Sequence, residues 1–455
     1  MKKNLFGTDG IRSKANTYPM TVDIAVSLGR ALAYQIINDN KFKKKISKNI
    51  IIGRDTRLSG HCFEQAISAG ACSMGVDVSL AGQLPTSGIP YLIKKLNADA
   101  GVVVSASHNP YYDNGLKIFG SNGFKLDDIK EYKLEKQILL NSAIFDENKQ
   151  IFGNVYRINN AAEDYCNWVI NAMPKKMRLD DLRIVLDCAN GAAYKVGPKI
   201  FKKLGAKLIT LGVNPNGYNI NKNVGSLYPN NLSREVIKNK SNIGISLDGD
   251  ADRVVLVDEK GQVINGDALI ALIAKDFFDH GKLNSNTIVV TNMSNMGLEK
   301  CLNSLGINII RTNVGDRYVV ECMHYNDLTF GGENSGHLIF SDHATTGDGL
   351  IAALIVVNIL LRTKKSLSEL ASFFSPIPRA MINLIVLKKT PFKKLPKTNA
   401  IILDIKKKLE NIGRVFVRYS GTESKIRILI EGYEQSKLNK YALIIANSIN
   451  KELSK

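Results

Sequence analysis

The chain lacks most of the residue patterns that mark secreted, zinc-binding or membrane-spanning proteins. Its 455 residues include only six cysteines, and these are scattered at positions 62, 72, 166, 188, 301 and 322. No two cysteines have CxxC spacing, so neither a zinc site nor a disulfide framework is predicted. No apolar run reaches the roughly 20 residues that a membrane span needs. The most apolar stretch, residues 349–361, contains Asn358 and is predicted to be a buried helix.

The first residues also lack the pattern of a signal peptide. Lys2 and Lys3 are followed by Asp9, Gly10 and Arg12, where an apolar segment would be needed. Scattered cysteines indicate reduced thiols, and reduced thiols are typical of the cytosol. We therefore expect a cytoplasmic protein with no membrane partner.

Acidic residues are too few to balance the basic ones, and the net charge is +19. Such a charge attracts anionic partners in general. The lysines are scattered, however, and no basic stripe interleaved with aromatic residues indicates nucleic acid. We expect no nucleic-acid partner, and we expect the excess charge to attract a phosphorylated metabolite. An RNA-binding protein stays an alternative, which steeply salt-dependent RNA binding would support.

One unit recurs three times along the chain. An apolar strand leads through a helix and a glycine turn to a second apolar strand, and a third strand then ends in a polar cluster. Strands that alternate with helices indicate parallel βαβ units. We predict α/β domains over 1–156, 157–255 and 256–375, with third strands at 102–105, 243–246 and 328–330.

After Pro376 and Pro378 the pattern changes. Two strands, 415–417 and 426–430, flank one polar loop, and a helix over 440–453 follows. This predicts a smaller α+β domain over 376–455. The predicted fold is three similar α/β domains with mixed, mainly parallel sheets, plus this fourth domain, around a central cleft.

The most informative segment is GVVVSASHNP, residues 101–110. Its small and β-branched residues predict a buried strand, and Asn-Pro predicts a turn. Ser107 therefore lies at the end of a buried strand, where open α/β sheets bind their ligands. Ser105 is the competing hydroxyl on the same strand.

The second unit ends in DGDADR, residues 248–253. Asp248, Asp250 and Asp252 alternate along one loop, and their charges repel one another unless a cation neutralises them. Oxygen ligands of this kind suit Mg²⁺. An EF-hand is the rival interpretation, because Glu259 has the right spacing for its last ligand. Arg253 stands where that loop needs glycine, so the rival is not favoured.

Two further loops carry polar clusters. The third unit ends in GGENSGH, where Glu333, Ser335 and His337 suit sugar recognition and proton transfer. The fourth domain has a loop of hydroxyls, flexible backbone and two guanidiniums that suits phosphate. These residues are Arg418, Ser420, Gly421, Thr422 and Arg427. Arg12 ends a similar small-residue loop, and Lys117 follows Ser107 closely in the chain, so both are candidates to face the phosphate.

Together these motifs resemble the α-D-phosphohexomutase superfamily over essentially the whole chain. The four loops occur in family order, and the segments FGTDGIR (6–12) and VGDRYV (314–319) resemble its phosphoglucosamine branch. The second segment adds Arg317 to the predicted substrate-binding residues. Ser13 and Ser424 depart from the family pattern, where glycine and proline are usual.

The resemblance implies the following chemistry. Glucosamine 6-phosphate and glucosamine 1-phosphate would interconvert through a phosphoserine at Ser107 and a glucosamine 1,6-bisphosphate intermediate. One Mg²⁺ per chain would bind Ser107 and the three aspartates. Lys117 and His337 would be the candidates for proton transfer, and Arg12 would offset phosphate charge. The protein would act as a monomer or homodimer.

Two other activities stay open at this point. Within the family, the alternative is a phosphomannomutase/phosphoglucomutase. Outside it, Asp248 could be the nucleophile of an aspartate-type phosphohydrolase with Asp250 as its acid. That mechanism leaves Ser107 without a role, and it predicts an acid-labile rather than an acid-stable phosphoprotein.

Overall fold

The computed structural model describes residues 4–7, 9–39, 47–140, 151–386, 389–419 and 425–453. Over these residues the strands form four sheets, with seven, four, four and three strands. Each sheet comes from one continuous part of the chain, in the order predicted. The domain joins near 156, 255 and 375 stay a prediction.

The first sheet has the strand order β1-β2-β6-β5-β3-β4-β7. Strands β3, β4, β5 and β7 are mutually parallel, and the others are antiparallel to their neighbours. The strands are β1 (Phe6–Gly7), β2 (Gly10–Lys14), β3 (Asn49–Arg54), β4 (Asp77–Gln83), β5 (Ala100–Val104), β6 (Asp113–Gly120) and β7 (Val155–Arg157). The helices are α1 (Val22–Asn38), α2 (Gly60–Cys72), α3 (Gly88–Leu96), α4 (Asp128–Leu139) and α5 (Ala161–Asn171).

The second sheet has the order β11-β10-β8-β9, with one antiparallel strand, β11, at its edge. Its β8 and β10 are runs of apolar residues buried on both faces, as parallel strands between helices require. Its elements are β8 (Arg183–Asp187), α6 (Val196–Lys203), β9 (Lys207–Leu211), α7 (Pro229–Lys238), β10 (Ile243–Leu247) and β11 (Val254–Val257).

The third sheet has the order β13-β12-β14-β15 and repeats this plan, with β15 antiparallel at its edge. Its elements are α8 (Gly266–Asp279), β12 (Thr287–Thr291), α9 (Met296–Asn303), β13 (Asn308–Thr312), α10 (Asp316–Tyr325), β14 (Phe330–Gly332), β15 (Leu338–Phe340), α11 (Gly349–Thr363) and α12 (Leu367–Ala371). Strand β14 begins two residues later than predicted. The amide of Leu328 donates to the carbonyl of Met323, so this residue still closes the end of α10.

Helix α11 is the buried helix that the sequence predicts. It packs on β10 and β11 of the second sheet, although it follows the third sheet in the chain. One apolar cluster therefore extends through the first three domains and packs them against one another. Among the described residues, no helix is long and apolar enough to cross a membrane.

The fourth domain is a three-stranded antiparallel sheet of order β16-β18-β17 with two helices packed on it. Its elements are β16 (Arg379–Ile385), α13 (Pro396–Lys408), β17 (Arg414–Tyr419), β18 (Lys425–Glu431) and α14 (Gln435–Leu453). The final helix begins five residues before the predicted position 440. The predicted class, three α/β domains followed by a smaller α+β domain, is confirmed.

Candidate active site

Ser107 lies just beyond β5 in a left-handed backbone conformation, with φ of +52°. Its amide donates to the Ser105 hydroxyl at 3.0 Å, and its own hydroxyl donates to Asp248 Oδ2 at 2.5 Å. The two residues are 141 positions apart in the chain. Packing of the second domain on the first therefore brings the predicted carrier hydroxyl to the acidic loop.

The loop around Ser107 is held by residues that sequence reasoning missed. Arg57 is fully buried, pairs with Asp55, and donates to the carbonyls of Ser107 at 2.9 Å and Asn109 at 2.8 Å. From the second domain, the Asn221 amide donates to the same two carbonyls, at 2.8 and 3.0 Å. These bonds fix the backbone of the loop. No local sequence pattern predicts them, because they join residues far apart in the chain.

Ser105 is positioned differently from Ser107. Its hydroxyl donates to Asp55 Oδ2 at 2.6 Å and accepts the amide of Ser107. The side chain thus serves to brace the loop, and it is directed to Asp55 instead of the acidic loop. This geometry favours Ser107 as the carrier, which stays a prediction.

Gly249 allows the acidic loop to approach the serine loop. A Cβ at this position would lie 2.5 Å from the Ser107 carbonyl oxygen and 2.9 Å from Asn221 Nδ2. We expect Gly249→Ala to lower kcat about 100-fold, because a displacement of about 1 Å at a reacting group has such an effect. Steady-state kinetics of the purified variant would measure the loss.

The matched control for that variant is Gly281→Ala. Gly281 has φ of +64° and no neighbour within 4 Å of a Cβ, so its replacement costs about 1 kcal/mol in backbone strain alone. Unfolding curves should show that both variants are destabilised, while only Gly249→Ala loses activity. Equal activity in the two variants would contradict the close packing of these loops.

The three aspartates converge as predicted. One carboxylate oxygen from each of Asp248, Asp250 and Asp252 lies within 4.8 Å of the others, and all three residues are buried. Burial raises the pKa of Asp248 well above its ordinary value, and the charges of Asp252 and Asp250 raise it further. Oδ1 of Asp250 and Oδ1 of Asp252 are buried and have no hydrogen-bond partner. Unsatisfied oxygens of like charge fit a divalent cation.

The EF-hand alternative is not supported by the position of Glu259. Its carboxylate accepts hydrogen bonds from the hydroxyl and amide of Ser368. It therefore does not complete the ligand set of the three aspartates. The loop instead leads directly from one buried strand, β10, into its antiparallel neighbour β11.

Lys117 lies in the middle of β6 and reaches the same carboxylates. Its Nζ donates to Asp250 Oδ2 at 2.7 Å and to Asp252 Oδ2 at 2.8 Å. Burial lowers the pKa of Lys117, but Asp250, Asp252 and Asp9 raise it more, and it ends well above the ordinary value. The amine is therefore protonated near pH 7.

His337 approaches the site from the third domain. Its Nδ1 lies 3.6 Å from Asp252 Oδ1, and its Nε2 lies 3.3 Å from Asp316 Oδ2. Burial lowers the pKa of His337, but the two carboxylates raise it more, to about 10. Nε2 also accepts the amide of Gly347 at 3.1 Å, so this bond and the two carboxylates orient the ring, and its role in proton transfer stays a prediction.

Arg12 reaches the site through Asp9. The Arg12 guanidinium pairs with the Asp9 carboxylate, and Asp9 lies 3.6 Å from Lys117 Nζ. Burial raises the pKa of Asp9, but Lys117, Lys125 and Arg12 lower it more, to well below its ordinary value. Arg12 and Lys117 thus share one carboxylate partner, Asp9.

The fourth domain contributes two arginines that face each other. Arg418 on β17 and Arg427 on β18 are direct cross-strand partners. Burial lowers the pKa of Arg418, and the charge of Arg427 lowers it further. Like charges in this position repel each other unless an anion lies between them. The predicted residues Ser420, Gly421 and Thr422, together with Ser424, lie outside the described residues.

Glu333 and Ser335 lie on the loop between β14 and β15. Glu333 is buried, and its Oε1 accepts the amide of Gly315 at 3.0 Å. The negative charge of Glu333 also acts to raise the pKa of Arg418, so the third-domain loop and the fourth domain interact electrostatically. Ser335 is exposed at the tip of this loop.

Profiles of the phosphoglucomutase/phosphomannomutase family match all four domains. The α/β/α domains I, II and III match residues 3–143, 163–261 and 265–377, and the C-terminal domain matches 381–448. The chain is 48% identical over 455 residues to the phosphoglucosamine mutase of Bdellovibrio bacteriovorus, covering all of this chain and 99% of that one. The chain belongs to the α-D-phosphohexomutase family. The phosphoglucosamine mutase of Myxococcus xanthus is 47% identical, with 99% and 98% of the two chains covered.

Solved structures of phosphohexomutases have the same fold. A phosphoglucomutase/phosphomannomutase family protein from Burkholderia thailandensis superposes with a TM-score of 0.81 at 22% identity, over 98% of this chain and 97% of that one. An N-acetylphosphoglucosamine mutase from Aspergillus fumigatus, in complex with GlcNAc-6P and magnesium, has a TM-score of 0.67 at 18% identity. That comparison covers 99% of this chain and 96% of the other.

Two residues that this phosphohexomutase places beside Ser107 were not assigned from the sequence. Nδ1 of His108 lies 3.2 Å from the Ser107 hydroxyl and 3.2 Å from a guanidinium nitrogen of Arg253. Burial lowers the pKa of His108 to about 3, and the charges of Arg253 and Arg12 act in the same direction. The sequence offered one indication of their roles: His108 directly follows Ser107, and Arg253 directly follows Asp252.

Arg317, predicted to bind substrate, contacts the first domain. Its guanidinium donates to Glu131 at 3.0 Å and to Asp128 at 2.6 Å, both on α4, and only 4% of the residue is exposed. It therefore joins the first and third domains, and its role in substrate binding stays a prediction. Its neighbour Asp316, which was not predicted, is the residue of this motif that reaches the site.

Proposed function

We propose that this phosphohexomutase interconverts glucosamine 6-phosphate and glucosamine 1-phosphate. The proposal is carried by one observation, the hydroxyl of Ser107 held at 2.5 Å from the acidic loop. The full-length similarity to phosphoglucosamine mutases supports the choice of sugar. We place the reaction in the cytoplasm, where the scattered cysteines would stay reduced.

In the proposed reaction the active protein carries a phosphoryl group on Ser107. The free 1-hydroxyl of glucosamine 6-phosphate attacks this group, the serine O–P bond breaks, and glucosamine 1,6-bisphosphate forms. The hydroxyl proton is released as the new bond forms, and the departing Ser107 oxygen gains a proton. After the bisphosphate turns round, the Ser107 oxygen loses its proton and attacks the 6-phosphoryl group. The O6–P bond breaks, the sugar O6 gains a proton, and the products are glucosamine 1-phosphate and phosphorylated Ser107.

The protonated groups around Ser107 suit this chemistry. Lys117 and His337 can each donate a proton to a departing oxygen or offset charge on the transferred group. Arg12, which shares Asp9 with Lys117, would offset charge as well. Asp248, Asp250, Asp252 and the phosphorylated Ser107 would hold Mg²⁺, which supplies positive charge to the transferring phosphoryl group. Which of the two cations donates the proton stays open.

The fourth domain would hold the phosphate that is not reacting. Arg418 and Arg427 lie opposite each other and would be stabilised by a phosphate between them. Glu333 and Ser335 would contact the sugar hydroxyls or the amino group between the two phosphate positions. Because such contacts serve either phosphate, the bisphosphate can react in both orientations.

Substrate preference tests the proposed function. We expect kcat/KM for glucosamine 1-phosphate to exceed that for glucose 1-phosphate about ten- to hundredfold. The protonated 2-amino group can donate a charge-assisted hydrogen bond to Glu333, worth about 1.5–3 kcal/mol, that a 2-hydroxyl lacks. A coupled assay with glucosamine, glucose and mannose phosphates measures the ratio.

Glu333→Gln is the matched variant for that assay. It keeps the shape of the side chain and removes the charge. We therefore expect kcat/KM for glucosamine 1-phosphate to fall more than kcat/KM for glucose 1-phosphate. Equal kcat/KM values in the unaltered protein, or a preference for glucose or mannose phosphates, would make it a phosphomannomutase/phosphoglucomutase instead.

A further inference from the structure

Six ionisable side chains from three domains, alternately acidic and basic, form a closed ring that includes Asp252 of the acidic loop. In ring order they are Asp9, Lys117, Asp252, His337, Asp316 and Lys125. Lys125 closes the ring, because its Nζ lies 2.5 Å from Asp9 Oδ1 and 2.6 Å from Asp316 Oδ2. Its side chain is 11% exposed and that of Asp316 is 8% exposed, so water screens the attraction between the two charges only weakly.

We propose that Lys125 and Asp316 are positioning residues, which fix Lys117 and His337 relative to the phosphoryl group on Ser107. The inference rests on the proposed mutase reaction. Lys125 lies on the far side of the ring from Asp252, and its contacts are with Asp9 and Asp316. It therefore acts through the two carboxylates that hold the proposed proton donors.

The place of Asp316 in the fold supports this role. Asp316 is the first residue of α10, and the preceding Gly315 donates its amide to Glu333. One helix start thus holds both the ring of His337 and the carboxylate that would contact the sugar. Lys125 joins this helix start to the first domain beside the Arg317 ion pairs, and it is the contact that bears directly on the carboxylate facing His337.

Loss of the Lys125 charge would leave the partly buried Asp9 and the buried Asp316 with one fewer cation each. Asp9 would then attract Lys117 and Arg12 more strongly, and Asp316 would attract His337. Buried charges rearrange to recover a partner, since an unpaired one is costly. Lys117 and His337 would therefore move away from the reacting oxygen atoms.

The test compares Lys125→Met, Lys125→Arg, Asp316→Asn and the Lys125→Met/Asp316→Asn double variant. The control is Asp128→Asn, which removes an ion pair between the same two domains without touching the ring. Readouts are kcat and KM for glucosamine 1-phosphate, the melting temperature, and the amount of phosphate on Ser107 after incubation with glucosamine 1,6-bisphosphate.

We expect Lys125→Met to lower kcat about 10- to 100-fold, with KM changed less than about threefold. Lys125→Arg should recover most of the rate, because it restores a cation between the two carboxylates. The double variant should be little slower than the worse single variant, since both break the same bridge. Transfer of phosphate to Ser107 should slow in parallel with kcat.

A purely structural role would give a different result. Lys125→Met would then resemble Asp128→Asn, with a lower melting temperature and an unchanged kcat, and this outcome would overturn the inference. Failure of the proposed function can be told apart from failure of this inference. In the first case the unaltered protein itself would lack mutase activity or phosphate on Ser107.

Discussion

Ser107→Ala is expected to abolish turnover, with a loss of at least about 10⁴-fold in kcat. Ser105, the competing hydroxyl on the same strand, is not placed to replace it, since it donates to Asp55 at 2.6 Å and braces the loop. The alanine variant should fold normally, because the hydroxyl contributes only its contacts with Asp248 and His108, and the backbone contacts of the loop remain. Melting curves would check this point.

Peptide mass spectrometry gives the decisive measurement for this prediction. The unaltered protein should carry one acid-stable phosphoryl group on the peptide that contains Ser107, and the alanine variant should carry none. Phosphate on Ser105 would refute the assignment. An acid-labile phosphate would instead indicate an acyl phosphate on Asp248, and with it the phosphohydrolase mechanism.

Removal of the metal is expected to have the second-largest effect. Excess chelator should lower kcat more than about 100-fold, and added Mg²⁺ should restore it. Asp250→Asn removes one of three converging charges, so it should raise the Mg²⁺ concentration needed for half-maximal activity at least about tenfold. The variant keeps the size of the side chain, which limits the change to its charge.

Direct binding provides a readout apart from activity. Mn²⁺ titration followed by electron paramagnetic resonance should show one site per chain, weakened in Asp250→Asn. Asp180→Asn is the control, because Asp180 is exposed and pairs only locally with Arg178. Full activity in excess chelator, or unchanged Mn²⁺ binding in Asp250→Asn, would remove this site from the mechanism.

Much of this architecture follows from local patterns. Strands such as β3 and β10 are continuous apolar runs, and a buried parallel strand requires such a run whatever packs on it. The positions of Ser107 and the three aspartates follow from the same rule, because both loops begin where an apolar strand ends. The repeat of the unit then predicts three α/β domains.

The errors at element ends have local causes of a different kind. Strand β14 begins at Phe330 because Leu328 closes the end of α10 through the Met323 carbonyl. Helix α14 begins at Gln435, within a polar stretch that gives no apolar period. Such boundaries depend on single hydrogen bonds, which composition does not specify.

The sequence by itself determined the order of the domains, the buried strands and the polar loops at their ends. Only the tertiary structure decided which side chains in those loops meet. Arg317 pairs with α4 while Asp316 joins the ring, although the two are adjacent in one motif. Arg57, Asn221 and Lys125 gained their roles in the same way. The physical reason is that these contacts join residues far apart in the chain, so they depend on how whole domains pack, whereas a strand depends on its own few residues.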